Sequence, residues 1–136
     1  MSYLDDEIIA DFKKIKIKIT TLTKVKHDLM VENISQNIPF SVTNIAWNLL
    51  KDSIYLGLAT SQTSMDALAE KITHTTKADI IIIGDATDEA YSIGIKQLSP
   101  ALRIFSTIPQ HTYITQEGLD WIAGISFEGH IYFCKL

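Results

Sequence analysis

Hydroxyl side chains crowd the segment that joins a short apolar run to a stretch with helical spacing. Hydroxyls and free backbone N–H groups at the start of a helix can bind an anion. The segment carries no glycine-rich phosphate-binding pattern, and capping of the following helix explains the same residue types well. The candidate ligand-binding residues are Thr60, Ser61, Thr63 and Ser64.

Acidic side chains come directly after the longest uninterrupted aliphatic stretch of the chain, Ile80–Ile83. Asp85, Asp88 and Glu89 would lie beyond the carboxyl end of a strand, where ligands bind in α/β sheets. There they could hold a metal, act as general bases or contact a cationic partner. Turn chemistry with helix capping is the simpler explanation. No two carboxylates are spaced so that the sequence predicts acid–base catalysis.

Cys134 and the four histidines are the remaining residues that could do chemistry. A reactive thiol needs a neighbouring base and an exposed, electropositive setting, whereas Cys134 lies between Phe133 and Lys135 in a predicted final strand. A lone cysteine cannot form an internal disulfide, which fits a reducing compartment. None of the histidines sits in a paired metal-ligand spacing. We therefore predict no catalytic residue, no metal and no cofactor.

Length and composition predict a single domain over residues 1–136 that is cytoplasmic. The chain is 46% hydrophobic, enough to bury a core without disulfides. Residues 1–11 carry four acids and no basic residue, the reverse of an export signal, and no apolar stretch is long enough for a membrane span. Residues 79–136 hold three basic and seven acidic groups. That balance disfavours nucleic acid and suits a basic protein partner, although solubility alone also explains it.

The central segment alternates between strand and helix patterns. Apolar runs at 53–59, 79–85 and 101–105 predict strands, and the spacing over 64–76 predicts a helix. Residues 88–97 are interpreted as a second helix, with a strand as the alternative because Gly94 weakens the helix. This alternation predicts parallel strands with helices packed on both sides of a sheet.

The N-terminal segment gives conflicting signals. Helical spacing runs through residues 3–23, but Lys14 to Thr20 alternates strictly. We interpret the segment as a helix over 3–12 and a strand over 13–23, and one continuous helix stays open as the alternative. Lys14, Lys16 and Lys18 would then protect an edge strand from unwanted pairing, or form a basic binding strip.

Residues 27–51 give weak signals, whereas the C-terminal residues predict a hairpin. Residues 27–38 receive no assignment, and a capped helix is expected over 43–51. The X-Gly pair Glu128-Gly129 between two apolar runs predicts a hairpin of 121–127 and 130–136. Together these elements predict an α/β fold: one three-layer-type domain with a mixed sheet, a central βαβαβ unit and a C-terminal β-hairpin. The order of the strands stays open.

Three stretches share a pattern with a known family: 39–46 (PFSVTNIA), 61–72 and 77–84 (KADIIIIG). They resemble the N-terminal half of the thiolase superfamily, which includes the β-ketoacyl synthases. In that family a Ser/Asn/Ala helix precedes a strand, a nucleophile loop opens an Ala- and Leu-rich helix, and an Ala-Asp strand ends in Gly. The strand around Glu128-Gly129 is similar to the family's Glu-Gly-Ala strand.

The departures from the family pattern concern its chemistry. The family nucleophile is a Cys in the loop that corresponds to 60–64, and no Cys stands there. The catalytic partners come from a C-terminal half that this chain lacks. The resemblance therefore implies a thiolase-like half-fold without activity, which would expose an apolar face for a homodimer or another partner. It also implies a second function, a degenerate synthase-like protein that binds an acyl carrier protein.

The leading functional hypothesis is a non-enzymatic protein-binding module. A small acidic chain without a catalytic constellation suits an immunity protein, an inhibitor that covers the active site of a bacterial toxin such as a basic nuclease. We expect no nucleic-acid and no membrane partner. The predicted contact surface consists of Asp85, Asp88, Glu89, Glu117 and Asp120, with Tyr91 or Trp121 as anchors.

Overall fold

The computed structural model describes residues 2–76 and 78–136. Met1 and Lys77, the latter in a stretch that carries the thiolase resemblance, lie outside the described residues. Four helices are described: α1 (Tyr3–Lys14), α2 (Lys24–Asn37), α3 (Gln62–Thr75) and α4 (Leu98–Phe105). The strands are β1 (Thr20–Thr21), β2 (Phe40–Ser41), β3 (Asn44–Ile45), β4 (Ser53–Leu58), β5 (Ile80–Gly84), β6 (Ala90–Ile93), β7 (Thr112–Gln116), β8 (Trp121–Ile125) and β9 (His130–Lys135).

Seven strands form one sheet in the order β1-β6-β5-β7-β8-β9-β4, and β2 pairs with β3 in a separate hairpin. Every neighbouring pair of strands is antiparallel. The predicted mixed sheet with a central βαβαβ unit is therefore wrong, although the α/β class is confirmed. β4 precedes α3 and β5 follows it in the chain, and the two strands do run in the same direction. The strands β7, β8 and β9 lie between them, so they never pair.

The segment from 88 to 105 reverses the predicted order of helix and strand. Residues 90–93 form β6, the alternative considered for that stretch, and residues 101–105 belong to α4 rather than to a strand. The buried residues of α4 recur at helical spacing: Leu98, Ala101, Leu102 and Phe105. Pro100 is accepted in the first turn of the helix, where a missing N–H is not needed.

The N-terminal prediction is confirmed for the helix and wrong for most of the strand. α1 covers the predicted 3–12, and the chain is extended only at β1, so one continuous helix over 3–23 is also excluded. Lys14, Lys16 and Lys18 lie outside β1, which removes their interpretation as edge-strand residues. The unassigned residues 27–38 belong to α2, and the predicted helix over 43–51 is instead β3 followed by a short 3-10 turn at Trp47–Leu49.

The sheet has a core on each face. Alternate residues of β5 point to opposite faces: Ile80 and Ile82 join one buried cluster, and Ile81 and Ile83 join the other. The first face is covered by α1, α3 and α4 and contains the fully buried Trp121. The second face is covered by α2 and by the segment around Trp47. The strongly apolar sequence of β5 follows from this burial on both sides.

The structure confirms strands β4 and β5, helix α3 and the C-terminal hairpin of β8 and β9. Each observed end lies within two residues of the predicted end. Within the described residues, no helix combines the length and the apolar character that crossing a bilayer requires.

Candidate functional site

The register of the sheet decides which candidate residues lie together. Gly84 at the end of β5 pairs with Thr112 at the start of β7, and Ile125 at the end of β8 lies beside them. The loop 85–89 and the β8–β9 turn 126–129 therefore share one end of the sheet. We call this the acidic end; its exposed or half-exposed carboxylates are Asp85, Asp88, Glu89 and Glu128.

The loop 85–89 is held by two buried side chains. The Gln110 Oε1 accepts hydrogen bonds of 3.0 Å from the backbone N–H groups of Ala86 and Thr87. The next two N–H groups donate to the carboxylate of Asp5, from Asp88 at 2.8 Å and from Glu89 at 3.2 Å. Four consecutive backbone donors thus end on side chains that belong to the core.

Asp5 joins this loop to the start of α1. Its carboxylate also accepts from the hydroxyls of Ser2 at 2.6 Å and Tyr91 at 2.5 Å, and the Ser2 hydroxyl in turn caps the helix. Burial by itself raises the pKa of Asp5, but the hydrogen bonds from Ser2, Tyr91 and Asp88 outweigh it and hold the pKa at about 2. The carboxylate is fully buried and stays charged at neutral pH.

His111 links the loop to the β8–β9 turn. Its backbone N–H donates to the Oδ1 of Asp85 at 2.9 Å, and its Nδ1 accepts from the backbone N–H of Phe127 at 3.0 Å. The side chain of Phe127 is 60% exposed. The acidic end therefore presents an exposed aromatic ring beside its carboxylates.

The two aromatic anchors of the predicted surface are not at the surface. Tyr91 and Trp121 have no exposed area, and both belong to the core on the first face of the sheet. Tyr91 donates to Asp5, and burial followed by this hydrogen bond raises its pKa. The Nε1 of Trp121 donates to Gln116 at 3.1 Å. Their predicted role as contact anchors is withdrawn.

Glu117 and Asp120 lie at the other end of the sheet. They flank the turn after β7, and Gln116 in that strand pairs with Ile80 rather than with Gly84. Five residues of β5 separate the two ends by roughly 14 Å. Glu117 instead lines a groove of about 570 Å³ beside α2. The structure therefore divides the five predicted acids between two separate places.

The hydroxyl segment 60–64 lies beside the acidic end, because Ala59 donates its backbone N–H to Gly129 in the β8–β9 turn at 2.8 Å. Ser61 caps α3 by accepting from the N–H of Ser64 at 3.3 Å. Capping thus accounts for Ser61, and Thr60 and Thr63 are exposed. Anion binding by Thr60, Ser61, Thr63 and Ser64 stays a prediction.

The candidate nucleophile and metal ligands are placed as follows. Cys134 is buried on the second face, where burial, followed by repulsion from Asp52, raises the pKa of its thiol. Across residues 2–76 and 78–136, no group of three His, Cys, Asp or Glu side chains is placed to hold a metal ion.

Sequence reasoning missed Asp5, Gln110 and Phe127. A signal for Asp5 is present in the capping pattern Ser2-x-x-Asp5, but its second role depends on a contact with Asp88, 83 residues away in the chain. Gln110 has no comparable signal. Phe127 was predicted as part of a strand, and only the turn after β8 makes it exposed.

Comparison with family models, with curated proteins and with solved structures finds no match to this chain. The site must therefore be judged by its own geometry. Carboxylates on a fixed loop beside an exposed ring can form charged hydrogen bonds and an apolar contact with a basic protein surface.

Proposed function

We propose that this chain is a non-enzymatic protein-binding module, and most concretely a small cytoplasmic inhibitor of the immunity-protein kind. Its partner would be a bacterial toxin domain with a basic active site, such as a nuclease, which the acidic end covers. The observation that carries the proposal is the anchoring of four consecutive N–H groups of the loop 86–89 by Asp5 and Gln110.

Rigid anchoring matters because binding costs free energy when flexible groups must be ordered. A loop whose backbone is already fixed loses little conformational entropy on association. Its charges can also steer a basic partner and set the orientation of the complex. Phe127, exposed at the same end, would supply the central apolar contact that Tyr91 and Trp121 cannot.

The test is binding and inhibition of a basic toxin domain encoded next to this chain in its genome. We expect a stable complex in size-exclusion chromatography and loss of the toxin's activity. The triple variant Asp88→Asn/Glu89→Gln/Glu128→Gln should bind at least about tenfold more weakly, since charged hydrogen bonds at an interface are lost. Phe127→Ala should weaken binding by a similar factor.

The matched control is Asp79→Asn/Glu117→Gln/Asp120→Asn, which removes the same number of acids at the opposite end of the sheet. It should bind like the unmodified chain. Equal weakening by both sets would contradict the acidic end as the contact surface. Full toxin activity in the presence of excess folded protein would contradict the inhibitor function itself.

The alternative of a degenerate synthase-like protein rests on the thiolase resemblance alone and stays a prediction. Titration of an acyl carrier protein, followed by its chemical shifts, tests it separately.

A further inference from the structure

Half of the positive charge of this chain is concentrated in one short segment. Six of its 12 Lys and Arg residues lie between positions 13 and 26, where no acidic residue occurs, although the net charge of the whole chain is −4. All six side chains are exposed. We call this set the lysine band: Lys13, Lys14, Lys16, Lys18, Lys24 and Lys26.

The lysine band wraps around one edge of the sheet. It begins in the last turn of α1 on the first face, passes β1, which is the edge strand, and ends in the first turn of α2 on the second face. Lys26 also lines the groove of about 570 Å³ beside α2, but the other five lysines are not among the residues that line it. The band as a whole follows the edge of the sheet, so it suits a broad, flat partner better than a single strand held in that groove.

Local folding explains only part of this charge. Lysines at the carboxyl end of α1 are favourable for the helix dipole, and Lys24 in the first turn of α2 pairs with Asp28 at 3.1 Å. Lys26 lies in the same first turn, where positive charge is unfavourable. α1 has an acid, Asp5, three residues after its capping residue and completes a capping box. α2 has Lys26 at the equivalent position after Thr23.

Exposed aliphatic side chains lie among the lysines. Ile15 is 46% exposed, Val25 69% and Leu29 60%. The segment 13–26 contains no aromatic residue to stack on a base and no Arg to grip a phosphate or guanine in two places. Lysines mixed with aliphatic side chains are typical of protein surfaces that lie on anionic lipid.

Although the sequence as a whole predicts no membrane partner, we propose that the lysine band docks this protein on an anionic membrane surface. The lysines would contact lipid phosphates and carboxylates, and Ile15 and Val25 would enter the headgroup region. This contact is peripheral and leaves the acidic end free, so it holds or fails independently of the toxin-inhibitor function.

The test is co-sedimentation of the purified full chain with phosphatidylcholine vesicles that contain 30% or no phosphatidylserine, at 150 mM salt. We expect sedimentation only with the anionic vesicles, and less of it as salt rises. The variant Lys16→Gln/Lys18→Gln/Lys26→Gln should partition about 100-fold more weakly, at roughly fivefold per lysine. The variant Lys51→Gln/Lys71→Gln/Lys96→Gln removes three exposed lysines elsewhere and should retain binding.

Lys26→Glu separates binding from folding. A glutamate there would complete the capping box with Thr23 and suit the dipole of α2, so the unfolding midpoint should not fall. Vesicle binding should nevertheless drop, because the charge of the band changes by two. Loss of binding in a variant that is as stable as the parent chain cannot be attributed to misfolding.

Three results would overturn the proposal. The first is no sedimentation with anionic vesicles, and the second is equal loss in the two triple lysine variants. The third is tighter binding of a 20-base-pair DNA duplex or a 20-nucleotide RNA than of the vesicles at the same salt, measured by fluorescence anisotropy. That last outcome would assign the lysine band to nucleic acid.

Discussion

Asp5 is the residue on which the acidic end depends most. Its buried carboxylate ties the start of α1 to the backbone of Asp88 and Glu89 and to the hydroxyl of Tyr91. A buried charge is tolerated here because hydrogen-bond donors replace the water that it lost. The same donors lower its pKa from 3.8 to about 2, so the charged form stabilises the fold.

The pH dependence of stability follows from the sign of that shift. The unfolded chain binds a proton at Asp5 near pH 4, whereas the folded chain does so only near pH 2. The contribution of Asp5 is therefore complete above about pH 4 and is lost as the pH falls from about 4 to about 2. Its size is about 2–3 kcal/mol, at 1.4 kcal/mol for each pKa unit.

Replacing Asp5 by Asn should lower the free energy of unfolding at pH 7 by about 3 kcal/mol, since an amide cannot accept from every donor around it. Urea unfolding between pH 2 and pH 7 should show the gap between the two proteins narrowing below pH 4. Asp6→Asn, an exposed neighbour in the same helical turn, should cost less than about 1 kcal/mol. A gap that stays constant down to pH 2 would contradict the assignment.

Elements were predictable where their own residues decide them. α1, β4, α3, β5 and the hairpin of β8 and β9 carry clear periodicity or turn residues, and the structure has them within a residue or two of their predicted ends. The errors fall where two patterns compete over a few residues. Leu98, Ala101, Leu102 and Phe105 do have helical spacing, but the run 101–105 taken alone also suits a strand. Tyr91 to Ile93 forms a strand packed on the first core, although the residues around it also suit a helix.

Pairing between elements was harder to predict than the elements themselves. A strand, a helix and a strand in succession favour a parallel neighbouring pair, and β4 and β5 do run parallel. Nothing local in the chain indicates that β7, β8 and β9 fill the space between them. Asp85, Asp88 and Glu89 were predicted, but the anchoring of their loop was missed for the same reason, because Asp5 and Gln110 reach it only through the assembled sheet.

The junction between β5 and the loop 85–89 depends on a glycine. A Cβ atom on Gly84 would collide with the side chain of Gln110, which holds Ala86 and Thr87. Gly84→Ala should therefore cost about 2 kcal/mol of stability, comparable to the loss of hydrogen bonds by buried groups. Chemical denaturation measures this cost, and toxin binding should weaken in parallel.

Gly94→Ala is the matched control for that glycine. No atom lies within 4 Å of a Cβ placed there, and its φ of −69° is ordinary for any residue. Alanine at position 94 should leave stability unchanged or raise it by about 0.5 kcal/mol. If both substitutions were neutral, the loop would not depend on Gln110 in the way that the structure indicates.

At the scale of the whole molecule, opposite charges are separated along α1. The start of the helix contacts the loop 85–89 of the acidic end through Asp5, and its last turn carries Lys13 and Lys14 of the lysine band. Eight and nine positions of helix separate Asp5 from Lys13 and Lys14, which is about 12–14 Å along the helix axis. A chain of net charge −4 can thus present a basic surface to one partner and an acidic one to another.

The two faces of the sheet differ in how firmly they are covered. α2 has 14 residues, but only Met30 and Ile34 are buried, whereas Leu4, Asp5, Ile8 and Phe12 are buried in the 12 residues of α1. Local opening occurs where few apolar contacts hold an element. We therefore expect α2 to open on its own, ahead of the rest of the molecule.

Hydrogen exchange followed by mass spectrometry should show faster exchange in α2 than in α1 or α3. Ile34→Ala removes about 2–4 kcal/mol of packing from a helix that has only two buried side chains. Protection in α2 should fall at least about tenfold, while α1 and α3 change little. Ile72→Ala, in the fully buried part of α3, should instead lower protection across the sheet. Equal loss in α1 and α2 on Ile34→Ala would show that both faces unfold together and that α2 does not open on its own.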